Sequence, residues 1–142
     1  MTVSKRTAVA ATAFGALCAA AATAAPNAGA SVSNIDVAVG LSFGSSSFYG
    51  ASCSYQVTAT AKPGSTVVFL DEIEGARTDL TFKPATVVAD TSGRAVTTWT
   101  PARKGAHKIW AAEYVQGETY FITPITVNSA LGIGPICAVM PF

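Results

Sequence analysis

From Ser31 onward, apolar and polar residues alternate in short runs separated by turn residues. Successive side chains of a strand point to opposite faces. A run such as "NIDVAVGLSF", which puts Ile35, Val37, Val39 and Leu41 on one side, therefore predicts a strand with one face buried. "SYQVTATA" repeats the pattern with Tyr55, Val57, Ala59 and Ala61. "STVVFLDE" and "RTDLTFK" follow a Pro63-Gly64 turn and a Glu74-Gly75-Ala76 turn, and "PATVVAD" leads into the turn from Asp90 to Gly93. "RAVTTWT", "AHKIWAAEYV" and "ETYFITPITV" complete the series, the last after Gln116-Gly117. No helical period of useful length appears. Strands at spacings of roughly 8 to 12 residues with no helix between them predict an all-β fold, an antiparallel β-sandwich of about seven to eight strands with Greek-key connections.

Proline cannot donate to a central ladder, so Pro84, Pro101 and Pro124 are expected at strand ends, edges or bulges, and Pro124 marks a break in the last long strand. "GSSSFYGAS" reads as a loop between the first two strands, with Phe48 and Tyr49 as anchors or exposed aromatics. After Asn128 the pattern fades, and residues 128–142 read as an irregular tail.

Composition must be split along the chain. Half of all residues are hydrophobic and 12% are charged, but much of the apolar excess lies in the first 24 residues. There Lys5 and Arg6 precede an Ala-rich run from Ala8 to Ala22 and the small-residue site Ala22-Thr23-Ala24, the layout of a secretory signal peptide. Cleavage is expected after Ala24, with Ala28-Gly29-Ala30 as a second site. The run is too diluted by Ala and Thr for a membrane anchor, so no membrane span is expected after cleavage. Around Cys18, Leu17 and Gly15 stand in the reverse of a lipobox order. The reading divides the chain into a leader (1–24), a linker (25–33), a sandwich (34–127) and the tail (128–142).

Formal net charge is +1, and losing Lys5 and Arg6 leaves the exported chain near neutral. With no basic cluster beyond "PARKGAHK", it lacks the footprint that a phosphate backbone requires, which argues against a nucleic-acid partner.

Of three cysteines, Cys18 lies in the leader, which leaves Cys53 and Cys137 in a chain bound for an oxidising compartment. One disulfide is the expectation. His107 is the single histidine, so a metal pair lacks further ligands, and no metal or cofactor is expected. The bond would tie the tail to the start of the second strand and contribute about 4 kcal/mol through loop closure.

"ADTSGRAVTTWTPARKGAHKIWAAE" resembles the bacterial immunoglobulin-like domains of secreted and cell-surface proteins, through Asp90, Gly93, Trp99, Thr100, Pro101, Gly105, His107, Ile109 and Ala111. "CSYQVTATAKPGSTVVFLDE" is similar to the second and third strands of that family, and together the two stretches cover about residues 52–127. The resemblance implies the fold and says little of function, because members serve as spacers, adhesion modules and accessories to enzymes. Two departures from the family are expected: a domain that stands alone with a C-terminal extension, and a disulfide that is not the inter-sheet bridge of antibody domains. The Ala-rich leader resembles those of high-GC Gram-positive bacteria.

Hydrolytic chemistry needs a nucleophile, a base and an orienting group, and no nucleophile motif accompanies His107. Asp71, Glu72 and Glu74 crowd one turn and read as a solvated hairpin end. Alternation puts Ala95, Thr97 and Trp99 inward, as it does His107, Ile109 and Ala111. Lys108, Trp110, Ala112 and Tyr114 take the opposite face. Lys108, Trp110 and Tyr114 are thus the candidate partner surface, for a protein or a glycan; the competing expectation is that the tail folds over this stripe. The expected function is a secreted, non-enzymatic binding or structural module at the cell envelope or in the medium. The alternative is a small secreted enzyme or inhibitor working through loops such as residues 44–52.

Overall fold

A computed structural model of the chain describes residues 32–114 and 120–142. The leader with both cleavage sites, residues 25–31 of the linker and the Gln116-Gly117 turn lie outside the described residues. The described part is all-β, with β1 (Val32–Val37), β2 (Ser42–Phe43), β3 (Tyr49–Gly50), β4 (Tyr55–Ala61), β5 (Thr66–Ile73), β6 (Ala76–Thr78) and β7 (Phe82–Lys83). There follow β8 (Thr86–Val88), β9 (Arg94–Trp99), β10 (Gly105–Glu113), β11 (Tyr120–Asn128), β12 (Ala130–Ile133) and β13 (Ile136–Val139).

Three sheets result. One has the order β1-β4-β9-β7, the second β3-β11-β10-β5-β6 with β8 also on β5, and the small third β12-β13-β2. The long neighbours pair antiparallel, and parallel contacts are confined to β3 with β11 and β2 with β13. The two large sheets meet on one apolar core. Alternation sets their inner faces: Tyr55, Val57, Ala59 and Ala61 on β4, Ala95, Thr97 and Trp99 on β9, Val67 and Phe69 on β5, and Ile109 and Ala111 on β10 are all buried. A line of aromatic rings runs through this core, with centroid distances of 5.1 Å for Tyr49–Tyr55, 5.9 Å for Tyr55–Trp99, 6.5 Å for Trp99–Phe82 and 5.5 Å for Phe82–Phe69. Such pairs add about 0.5–1.5 kcal/mol each beyond the area they bury.

The strand pattern differs from the alternation reading in four places. "NIDVAVGLSF" is not one strand: β1 begins at Val32, inside the expected linker, changes register between Val32 and Asn34, and ends at Val37. Gly40, at φ 58°, turns the chain, and β2 joins the third sheet, leaving Val39 and Leu41 exposed. "RTDLTFK" divides into β6 and β7, which belong to different large sheets, with exposed Leu80 at the crossover. Pro124 makes no break, since β11 pairs with β10 in continuous register across the Lys108–Pro124 position. Only Val127 and Asn128 of β11 pair with β3, so Pro124 sits where β11 is an open edge and no ladder donor is missed.

The largest difference is the tail. Residues 128–142 are an ordered hairpin, β12 against β13, with β13 laid beside β2. Gly50 permits its close approach: a Cβ there would lie 2.2 Å from the Ala130 Cβ and 3.0 Å from the Cys137 Sγ. β11 ends at Asn128, and β12 begins two residues later at Ala130.

The β5–β6 turn gives a first prediction. Ile73 pairs with Ala76, and the two linking residues, Glu74 and Gly75, have φ of 53° and 83°, the left-handed geometry that suits a two-residue hairpin. Glycine accepts it freely. Glutamate does not, and the exposed Glu74–Arg103 pair at 3.7 Å offsets little of the strain. Glu74→Asn is expected to raise stability by about 0.5–1 kcal/mol in a denaturant melt, and a loss of stability would contradict this account of the turn.

Candidate functional site

Each sequence-selected residue has a definite place. Cys53 and Cys137 form a disulfide with Cα atoms 6.1 Å apart. It lies at the end of the core where the Tyr55 hydroxyl accepts from the Gly50 amide at 2.6 Å and stands 3.2 Å from Ser42 Oγ and 3.5 Å from Cys137 Sγ. A disulfide is compatible with an extracellular location. Among the described residues no helix is long and apolar enough to cross a membrane.

Lys108 and Trp110 share the outer face of β10, opposite buried His107, Ile109 and Ala111, and Tyr114 follows just beyond the strand's last residue, Glu113. The register places Leu70 and Ile122 beside Trp110, Val68 and Tyr120 beside Ala112, and Glu72 beside Lys108. Arg77, paired across β6 with Glu72, holds its guanidinium carbon 4.1 Å from the centre of the Trp110 ring, and the Tyr120 ring lies 5.0 Å away. Glu72 fixes the cations, with Oε2 accepting from Arg77 Nε at 3.0 Å and Oε1 standing 3.7 Å from Lys108 Nζ. The stripe is thus charged at one end, aromatic in the middle, and open at Tyr114, which is 72% exposed. The Trp110 indole N–H is buried with no hydrogen-bond partner among the described residues.

The tail does not cover this stripe. Its hairpin pairs with β2, and the groups that cover Trp110 are Arg77 and Tyr120. Sequence reasoning missed both residues. For Tyr120 the signal was present, since alternation through "TYFITPITV" sets it on one parity with Ile122; Arg77 depended on the tight β5–β6 turn.

Asp71 overturns the reading of a solvated hairpin end. It continues the inward parity of Val67 and Phe69 and is 1% exposed. Its Oδ1 meets His107 Nδ1 at 2.7 Å, and its Oδ2 accepts from Trp99 Nε1 at 2.9 Å and from Thr81 Oγ1 at 3.2 Å. On the other side of the ring, His107 Nε2 meets the Arg103 carbonyl at 2.8 Å. A carbonyl only accepts, so Nε2 carries a hydrogen, and one further proton lies on the Nδ1–Oδ1 axis. Imidazolium with carboxylate and neutral ring with carboxyl both leave the pair without net charge. Every polar atom of the cluster has a partner, as buried polar groups require.

Elsewhere the hydroxyls of the loop at residues 44–52 hold it in place: Ser47 Oγ donates to the Thr126 carbonyl at 2.6 Å and Ser46 Oγ to that of Pro141 at 3.3 Å. In the Asp90 turn, Asp90 Oδ1 accepts from Ser92 Oγ at 2.6 Å and from the Arg94 and Ser92 amides at 3.0 and 2.9 Å. The Ser92 hydroxyl and these amides hold the Asp90 carboxyl below its usual range. The turn's small contribution is therefore present above the ordinary carboxylate pKa and fades as pH falls through the lowered one. Comparison of the chain with protein-family models, curated proteins and solved structures finds no match.

Proposed function

We propose that the chain is an exported, non-enzymatic immunoglobulin-like module that binds a protein partner through the outer face of β10 and its neighbours. The observation that carries this reading is the outward cluster of Trp110, Tyr120 and Arg77, continued by Lys108 and Tyr114. Trp, Tyr and Arg are the residue types that dominate binding energy at protein interfaces. A protein suits the site better than a glycan, because Arg77 already occupies a face of the Trp110 ring on which a sugar would stack.

The strand order supports the immunoglobulin-like classification. With β1, β4, β5, β7, β9, β10 and β11 lettered A to G, the two large sheets read ABED and CFG, the constant-type arrangement. Export to the cell envelope or the medium rests on the leader and on the disulfide. The non-enzymatic reading is supported by His107, which is fully buried with both ring nitrogens engaged, so that it has no free nitrogen to serve as a base.

Cross-linked capture from the surface and medium of the producing cell tests the proposal. Trp110→Ala/Tyr114→Ala is expected to weaken recovery of the captured protein about tenfold or more, with an unchanged circular dichroism spectrum. Asp71→Asn should capture normally. Equal capture by the double variant would remove the β10 face from consideration, and a catalytic activity abolished by Asp71→Asn in a folded protein would favour the enzyme reading.

A further inference from the structure

The three-stranded β12-β13-β2 sheet has one face on the core and one in solvent. Gly132, Cys137 and Ser42 align across it, and Cys137 is buried, so this row faces inward. The next row, Leu131, Ala138 and Phe43, faces out, and the Ile133–Ile136 pair and Leu41 extend it. Leu131 is 55%, Phe43 58%, Ile133 61%, Leu41 63% and Ile136 42% exposed. Five large apolar side chains at such exposure form a patch of roughly 300–600 Å², comparable with the largest patch of an ordinary monomer, which is often functional.

Charge and edge geometry decide what fits there. The segments from Val37 to Ala61 and from Tyr120 to Phe142, which supply all three strands, contain no Asp, Glu, Lys or Arg. Nothing on this face steers a charged partner, and nothing repels a second copy of itself. The outer edge of β12 pairs with no described strand. Other open edges carry protection: β1 has Asp36 and a register change, β6 has Arg77, β7 has Lys83 before Pro84, and β11 has Pro124. β2, β3 and β8 are two or three residues long. β12 has neither charge nor proline, so nothing at the rim of this face keeps a second copy away.

We infer that this sheet is a self-association surface, in which the Leu131–Phe43 face of one chain packs on the same face of a second across a twofold axis, with the open β12 edges at its rim. Two copies of the patch approach about 1,000 Å² of buried area, the lower limit of a specific interface, so the dimer is weak and concentration-dependent.

The test is sedimentation velocity on the disulfide-bonded protein from low to high micromolar concentration. The wild type is expected to shift from monomer to dimer across the series. Leu131→Lys/Ile133→Lys should remain monomeric throughout with an unchanged spectrum and denaturation midpoint, while Trp110→Ala/Tyr114→Ala should dimerise like the wild type. The inference is overturned if the wild type stays monomeric, if the double lysine variant dimerises, or if loss of Trp110 and Tyr114 abolishes the dimer. A monomer that instead floats with phosphatidylcholine vesicles in a Leu131- and Ile133-dependent way would make the face a lipid contact and equally overturn it.

Discussion

Asp71→Ala is expected to lower folding stability by about 3–5 kcal/mol, whereas Asp71→Asn should cost under about 1 kcal/mol. Alanine leaves three polar groups facing an empty site: the buried Trp99 Nε1–H, the half-buried Thr81 hydroxyl, and the buried His107 ring on its Nδ1 side. Each then bears a desolvation penalty that its hydrogen bond had removed. Asparagine fills the same volume. Its Oδ1 can accept from Trp99 and Thr81 while its Nδ2–H donates to Nδ1 of a neutral His107 that keeps its Nε2–H on the Arg103 carbonyl. The charge of the pair is dispensable in this account, and its hydrogen-bond pattern is not. Guanidinium chloride unfolding of the three proteins measures both differences. An asparagine variant as unstable as the alanine variant would show that the carboxylate charge itself holds the site; an alanine variant near wild type would show that the cluster contributes nothing.

The same cluster shows what the sequence made legible. Val67, Phe69 and Asp71 share one parity, as do His107, Ile109 and Ala111, so alternation had already aimed both members of the pair at the core. A lone carboxylate among glutamates looks solvated until its partner strand is known, and that partner lies 36 residues away. The long strands were legible because each buries one face within a single sheet. The division of "RTDLTFK" between sheets was not, since three polar residues and Leu80 carry no period. The tail was least legible: Gly132, Gly134 and Pro135 dilute its strand signal. Its order comes from β2, far away in the chain, and from the disulfide. On β10, the outward parity of Lys108 and Trp110 followed from alternation alone, while the Arg77 contact followed from the Glu74-Gly75 turn.

The second large effect concerns that disulfide. Cys53→Ala/Cys137→Ala is expected to lose about 4 kcal/mol, because the bond restrains a loop with a sequence separation of 84 residues in the unfolded chain. That is a large part of the 5–15 kcal/mol typical of a domain. The variant also gives up packing, since Cys53 and Cys137 both belong to the buried core. The remaining links between the tail and its neighbours are short: two register pairs with β2, the Cys137 amide to the Leu41 carbonyl at 3.4 Å, the Ala51 amide to the Asn128 carbonyl at 2.9 Å, and the Ser46 hydroxyl, which donates to the Pro141 carbonyl at 3.3 Å and accepts from Asn128 Nδ2 at 2.9 Å. Such a hairpin does not hold its place alone. A denaturation midpoint equal to that of wild type would mean that the hairpin is fixed by packing and that the covalent link is incidental.

Hydrogen exchange, resolved by segment, tests most directly whether the covalent link makes the C-terminal hairpin part of the domain. In the native protein, amides of β13 from Ile136 to Val139 should be protected, with β5 and β10 more so. In Cys53→Ala/Cys137→Ala, protection of β12 and β13 should fall to the level of exposed loops under conditions where β5 and β10 remain protected. Unchanged protection of β13 in that variant, or its free exchange in the oxidised wild type, would contradict the account.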